Sequence, residues 1–106
     1  MFRSTLAAFV LLCGSHSAFA DESIALTISN HKFEPRTITV KAGVKVALSI
    51  TNASKERAEF ESTELNRERV IAPGATVIVY VGPLEPGTYP FFDDFDQANT
   101  GQIIVK

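Results

Sequence analysis

The chain has 106 residues, a formal net charge of −2 and 45% hydrophobic residues, a composition that indicates one small domain with a single core. It carries 10 Lys and Arg against 12 Asp and Glu, so it lacks the basic excess that neutralises phosphates, and we expect no nucleic-acid binding.

The first twenty residues have the pattern of a secretory signal peptide. The apolar run Leu6–Cys13 follows the basic Arg3 and is too short to span a bilayer as a helix. The segment Ser17–Ala20 places small residues at the two positions that a signal peptidase reads, which predicts cleavage before Asp21. We therefore predict a signal peptide over 1–20 and an exported domain over 21–106, with no membrane span after cleavage. A lipid anchor on Cys13 remains an alternative.

Alternation of apolar and polar residues with period two predicts strands along the rest of the chain. The apolar, β-branched segment Thr76–Val81 is predicted to be buried on both faces. The short polar segment Ser62–Arg69 is the one candidate for a helix, and we predict an irregular excursion there. About seven short strands separated by turns predict an all-β sandwich or barrel. The strands are expected over 24–29, 37–40, 44–51, 58–62, 76–81, 88–92 and 101–106.

Enzyme chemistry is not expected of this domain. After residue 20 the chain has no cysteine and no methionine, and His31 is the single histidine. A Ser or Thr nucleophile would need a base, and no glycine-rich phosphate loop is present. His31 itself fits either a hydrogen-bonded surface residue or a metal ligand.

Two groups of acidic residues could carry metal chemistry. Clustered carboxylates offer the hard oxygen ligands that suit Fe³⁺, Mn²⁺ or Ca²⁺. Solvated loops with neighbouring arginines are the simpler interpretation of the same pattern. One group comprises Glu56, Glu59, Glu61, Glu64 and Glu68, and the other comprises Asp93, Asp94 and Asp96.

The order of motifs resembles the cupredoxin family across essentially the whole of 21–106, which implies a Greek-key β-sandwich. In blue-copper cupredoxins an upstream histidine and then a cysteine, a histidine and a methionine in one loop hold the copper. Here Asp93 occupies the cysteine position and Asp96 the later histidine position, so blue-copper electron transfer is excluded on chemical grounds. The matching landmarks are Phe33-Glu34-Pro35, Thr39–Gly43, Asn52, Gly87–Phe92 and Gly101–Val105.

A narrower resemblance is to the periplasmic cupredoxin-like proteins of bacterial ferrous-iron uptake systems. The segments Glu59–Ser62, Glu64–Ile71 and Ala72-Pro73-Gly74 carry it. It implies a periplasmic protein that binds iron, or copper, and assists iron oxidation or delivery to an iron permease or another periplasmic uptake subunit. The site that it implies comprises Glu59, Glu61, Asp93, Asp96 and His31.

Three functions stay open at this point: an iron-binding accessory, a metal-free interaction module that docks a membrane or periplasmic partner, and a periplasmic copper carrier. The direction of two ligand candidates is open as well. Period two places Glu59 and Glu61 on the face opposite Phe60, so they point away from the loop of Asp93 and Asp96 unless a bulge turns one of them inward.

Overall fold

The computed structural model describes residues 20–106, and these residues form nine β-strands in two sheets. One sheet has the order β2-β1-β4-β7 and the other the order β3-β9-β8-β5-β6. The pairs β1–β4 and β3–β9 are parallel, and the remaining pairs are antiparallel. The strands are β1 Glu22–Ser29, β2 Lys32–Glu34, β3 Thr37–Val40, β4 Val46–Asn52, β5 Ala58–Ser62, β6 Arg67–Ile71, β7 Thr76–Val81, β8 Gly87–Asp93 and β9 Asp96–Val105.

The predicted all-β sandwich is confirmed. Within 20–106 no segment is helical, and this part of the chain contains no helix that could cross a bilayer. The predicted signal peptide and Cys13 fall on residues outside the described part, with the exception of Ala20.

Two strands are absent from the prediction, and both have a physical explanation. β2 is a three-residue strand that completes a tight hairpin with β1, too short to show a period. β6 begins inside the segment Ser62–Arg69 that we predicted to be irregular and continues to Ile71, so that prediction is wrong for residues 67–69. β6 is an edge strand whose residues Arg67 to Val70 are all exposed, so the sequence shows no alternation of apolar and polar residues there.

The prediction that Thr76–Val81 is buried on both faces is also wrong. β7 is the edge strand of its sheet, with Val79 and Val81 in the core and Ile78 and Tyr80 exposed. Apolar content alone does not distinguish such a strand from a central one. The edge is covered in part because Arg67 of β6 donates to the Tyr80 carbonyl at 2.9 Å.

The core lies between the sheets and is centred on three phenylalanines with no exposed surface. Phe33 of β2 and Phe60 of β5 both pack against Phe91 of β8, with ring centroids 4.9 Å and 5.1 Å from it. Gly101 of β9 is required beside them, because a Cβ there would lie 2.5 Å from the Phe91 ring. This cluster forms the inner surface of the strands that carry the acidic residues.

Asn52 ties the two sheets together at the end of β4. Its side chain is fully buried, and its Nδ2 donates to the carbonyls of Ile71 in β6 and Glu56 at 3.0 Å and 2.7 Å. Its Oδ1 accepts from the backbone N–H and the hydroxyl of Ser54. These bonds fix the loop that leads into β5 and so set where that strand begins.

Candidate metal centre

β5 presents its two glutamates on the outer face of the five-stranded sheet. Phe60 between them is fully buried in the core, and the strand alternation therefore directs Glu59 and Glu61 to the other side. Glu61 lies directly opposite Glu68 of β6. Although it is on the outer face, Glu59 retains only 7% of its surface exposed. The side chains of Glu59 and Glu61, whose direction the sequence left open, thus point away from the interior of the sandwich.

Asp94 joins these glutamates from the turn that connects β8 to β9. Single carboxylate oxygens of Glu59, Glu61 and Asp94 all lie within 4.8 Å of one another. Two oxygens on opposite sides of a cation bound at 2.3–2.6 Å are about 5 Å apart, so this spacing is one that a single cation can bridge. We call these three residues the carboxylate triad.

The carboxylate triad concentrates negative charge that nearby cations do not balance. Within residues 20–106 the one ion pair is elsewhere, between His31 and Asp96. Burial raises the pKa of Glu59 above its ordinary value, and a hydrogen bond and like charge from Glu68 raise it further. Burial also raises the pKa of Glu61, to which the charges of Asp94 and Glu68 contribute. A bound cation would relieve this repulsion.

Asp93 faces the opposite side of the sheet from the carboxylate triad. It is 4% exposed, and its Oδ1 accepts hydrogen bonds from the backbone N–H of Glu59 at 2.9 Å and of Phe95 at 3.0 Å. The structure therefore places Asp93 among backbone donors and separates it from the side chains of Glu59 and Glu61.

His31 and Asp96 form a third arrangement at the same end of the sandwich. His31 lies in the turn between β1 and β2 with a φ of 60°, a left-handed conformation in which histidine is enriched. Its Nδ1 is 2.8 Å from Oδ2 of Asp96, and its side chain is 82% exposed. The pair borders a cleft of about 520 Å³ whose wall also includes Glu56, Arg57, Asp93 and Phe95.

The five residues proposed from the sequence are therefore distributed over three arrangements at one end of the molecule. Glu59 and Glu61 lie on the outer face, Asp93 is bound to the backbone, and His31 pairs with Asp96 across the cleft. Asp94 belongs to the second acidic group in the sequence but was left out of the five-residue site. Its alternation relative to Phe91 could have placed it with the outer-face glutamates, had the chain been known to turn directly after it.

The His31–Asp96 pair makes a testable prediction about pH. The hydrogen bond that the Asp96 carboxylate accepts from His31, followed by the charge of Asp96, raises the pKa of His31 above 6.5. The contribution of the pair to stability is thus complete below pH 6.5 and is lost as the pH rises through the raised pKa. We expect Asp96→Asn to lower the His31 pKa, as measured by NMR titration of the only imidazole after residue 20. An unchanged His31 pKa in Asp96→Asn would contradict the pairing.

Comparisons with known proteins agree with this architecture. A family model described as a cupredoxin-like domain matches residues 3–105. The uncharacterized protein RP394 of Rickettsia prowazekii (strain Madrid E) is 39% identical over 84 residues, which cover 78% of this chain and 67% of that protein.

Two solved structures illustrate the similarity in fold. The metal binding domain of the Streptococcus pneumoniae D39 Cu(I) exporting P-type ATPase CopA, solved with Cu(I), superposes with a TM-score of 0.71 at 16% identity, covering 79% of this chain and 84% of that one. Reduced auracyanin from Roseiflexus castenholzii superposes with a TM-score of 0.68 at 14% identity, covering 83% and 99% of the two chains. At such identities the similarity shows the fold alone.

Proposed function

This chain belongs to the cupredoxin-like domain family, and from that premise we propose that it is a periplasmic metal-binding accessory of ferrous-iron uptake. In this proposal the carboxylate triad holds the iron, which is the cargo of the protein. The iron is then passed to a permease or to another periplasmic uptake subunit.

The donor atoms of residues 21–106 support iron over copper in this proposal. A copper centre of the blue type takes a thiolate and imidazoles, and Cu(I) favours sulfur ligands. Residues 21–106 contain no cysteine, no methionine and the single imidazole of His31, so these residues do not fit such a centre. Carboxylate oxygens instead suit hard cations, which makes Fe³⁺ the better match to this chain.

The observation that carries the proposal is the convergence of three carboxylate oxygens within 4.8 Å at a position where Glu59 is 7% exposed. Loss of part of the water around a carboxylate is costly unless a cation or a hydrogen-bond donor accompanies it. The raised pKa values of Glu59 and Glu61 have the same origin, since burial is the largest cause of each. Bound iron would supply the missing positive charge.

Hard oxygen ligands also set the direction of redox chemistry. They stabilise Fe³⁺ more than Fe²⁺, because the smaller and more highly charged ion gains more from anionic oxygens. Binding at the carboxylate triad therefore favours the oxidised ion, which eases the oxidation of Fe²⁺. The electron must pass to an acceptor supplied by a partner, so the chain by itself assists oxidation without completing it.

Metal titration of residues 21–106 tests the proposal. We expect calorimetry to show one site for Fe³⁺, supplied as its citrate complex, with weaker binding of Cu²⁺. Glu61→Gln should weaken Fe³⁺ binding about 10–100-fold or more, the range known for the loss of even an indirect metal contact. The matched control is Glu34→Gln, the same exchange at an exposed position of β2, which should bind like the wild type.

Two other outcomes would overturn the proposal. A wild-type protein that binds neither metal would favour the metal-free interaction module. Tight Cu²⁺ binding that survives Glu61→Gln and is lost in His31→Ala would favour a copper site at the cleft.

A further inference from the structure

We propose that Asp93 is a positioning residue of the metal site: its carboxylate fastens the β8–β9 turn to β5 and so holds Asp94 beside Glu59 and Glu61. The inference rests on the proposed metal-binding function. It assigns Asp93 a role different from the direct ligation expected from the sequence.

Two hydrogen bonds join the β8–β9 turn to Glu59 of β5, and a third lies within the turn itself. Oδ1 of Asp93 accepts the backbone N–H of Glu59 at 2.9 Å and the backbone N–H of Phe95 at 3.0 Å. The backbone N–H of Asp94 in turn donates to the carbonyl of Glu59 at 2.9 Å. Both backbone groups of Glu59 are thus engaged by the turn that carries Asp94.

The side chain of Asp93 extends the sheet beyond its last backbone pair. The ladder between β5 and β8 pairs Glu61 with Phe92 and Phe60 with Asp93, and the register of β8 with β9 shifts between Phe92 and Asp93. At this irregularity the next donor on β5, the N–H of Glu59, is bound by a carboxylate oxygen. Without that acceptor, the backbone N–H groups of Glu59 and Phe95 would lose their shared partner, which is destabilising for each N–H that stays buried.

The same geometry makes Asp93 a poor direct ligand for a metal ion held by the carboxylate triad. Its Oδ1 already accepts two hydrogen bonds, and the residue is 4% exposed on the side of the cleft. Oδ2 forms no hydrogen bond within the described residues, so an amide nitrogen in its place breaks none of those seen. Asparagine at this position therefore keeps the acceptor and removes the charge.

Two substitutions with opposite effects separate positioning from ligation. Asp93→Asn keeps the acceptor in place, and we expect Fe³⁺ affinity within about threefold of the wild type. Asp93→Glu keeps the charge but displaces the acceptor by one methylene, and we expect an affinity loss of about 10–100-fold, as for other supporting contacts of metal sites. A direct ligand would give the reverse order, with Asn the weaker binder, and that result would overturn the proposal.

Hydrogen exchange of the metal-free protein gives a readout that does not depend on iron. We expect the amides of Glu59 and Phe95 to stay protected in Asp93→Asn and to exchange at least about tenfold faster in Asp93→Glu and Asp93→Ala. Unchanged protection in both of the latter would show that the carboxylate does not fasten the turn. If Asp93→Glu does not fold, Asp93→Ala takes its place in the titration. A wild type that binds no iron but shows the expected exchange pattern refutes the proposed function while leaving the fastening of the turn intact.

Discussion

Replacing Glu59 and Glu61 together by glutamine is expected to lower Fe³⁺ affinity by about a thousandfold or more and to stabilise the metal-free protein at pH 7. Loss of a supporting contact alone weakens metal sites about 10–100-fold, and this variant loses two direct ligands. The stabilisation follows from the raised pKa values of both carboxyls. In the folded protein these two carboxyl groups hold protons more tightly than they do in the unfolded chain. The wild type therefore loses stability as the pH rises from about 4.5 through their raised pKa values.

Chemical denaturation at pH 4 and pH 7 checks the second part of this expectation. The wild type and the double variant should be similar at pH 4, where the carboxyls are protonated, and the variant should be more stable at pH 7. The control is Glu34→Gln, which alters an exposed acid of the other sheet and should shift neither quantity. Equal stability at pH 7 would mean that the glutamates do not repel, and undiminished iron binding would place the site elsewhere.

In this proposal the carboxylate triad links metal binding to the folding stability of the protein. Repulsion among the carboxylates weakens the empty protein, and a cation that binds only the folded state restores the loss by mass action. The proposed metal site is thus a place where the sequence departs from what stability alone would select, as functional sites commonly do. The outer face of β5 could have carried neutral side chains at no cost to the core, because Phe60 alone faces inward from this part of the strand.

Of the central strands, the sequence predicted β4 from its alternation and β8 from its aromatic residues, whereas β9 begins at Asp96, five residues before its expected start at 101. The β4 and β8 strands begin and end within about two residues of their expected bounds, the usual margin for element ends. Alternation about Phe60 also predicted correctly that Glu59 and Glu61 share a face. Such features depend on neighbours along the chain, which a sequence contains directly.

The errors concern edges and pairing, which depend on distant parts of the chain. β6 and β7 are the two edge strands on one side of the sandwich, where Arg67 and Arg69 donate to carbonyls of β7. β6 therefore has no alternation to detect, and β7 has an exposed apolar face that resembles a buried strand. An edge strand is one that has a neighbouring strand on only one side, and the residue pattern within a strand does not show whether a neighbour is missing.

The candidate site shows the same limit of local patterns. Asp93, Asp94 and Asp96 are close in sequence, yet they enter three different arrangements. Their separation depends on a direct turn after Asp94 and on the pairing of Asp93 with Asp96 across it. A longer loop, as expected from the blue-copper pattern, would have allowed all three to converge. The turn geometry, rather than the composition, decides which carboxylates meet.

Phe91→Ala is expected to reduce the free energy of unfolding by about 3–5 kcal/mol, the usual cost of emptying a buried phenylalanine site. Phe91 has no exposed surface and contacts both other rings of the core cluster, and Gly101, which has no side chain to fill the space, packs directly against its ring. The free energy of unfolding of most small domains is only about 5–15 kcal/mol in total, so this variant should unfold at markedly lower denaturant concentrations than the wild type.

Phe95→Ala is the matched control, since it removes the same side chain from the same hairpin. Phe95 is 43% exposed, and its ring faces the guanidinium of Arg57 at 4.2 Å, a contact worth about 0.5–1 kcal/mol at an exposed site. Denaturant unfolding should therefore separate the two variants clearly. Equal losses would mean that the hairpin, and not the ring cluster, limits stability. If Phe91→Ala loses more free energy of unfolding than Phe95→Ala, we also expect its iron binding to weaken as the protein begins to unfold. The reason is that Phe60 of the cluster lies between Glu59 and Glu61 and fixes the side of the sheet on which they meet Asp94.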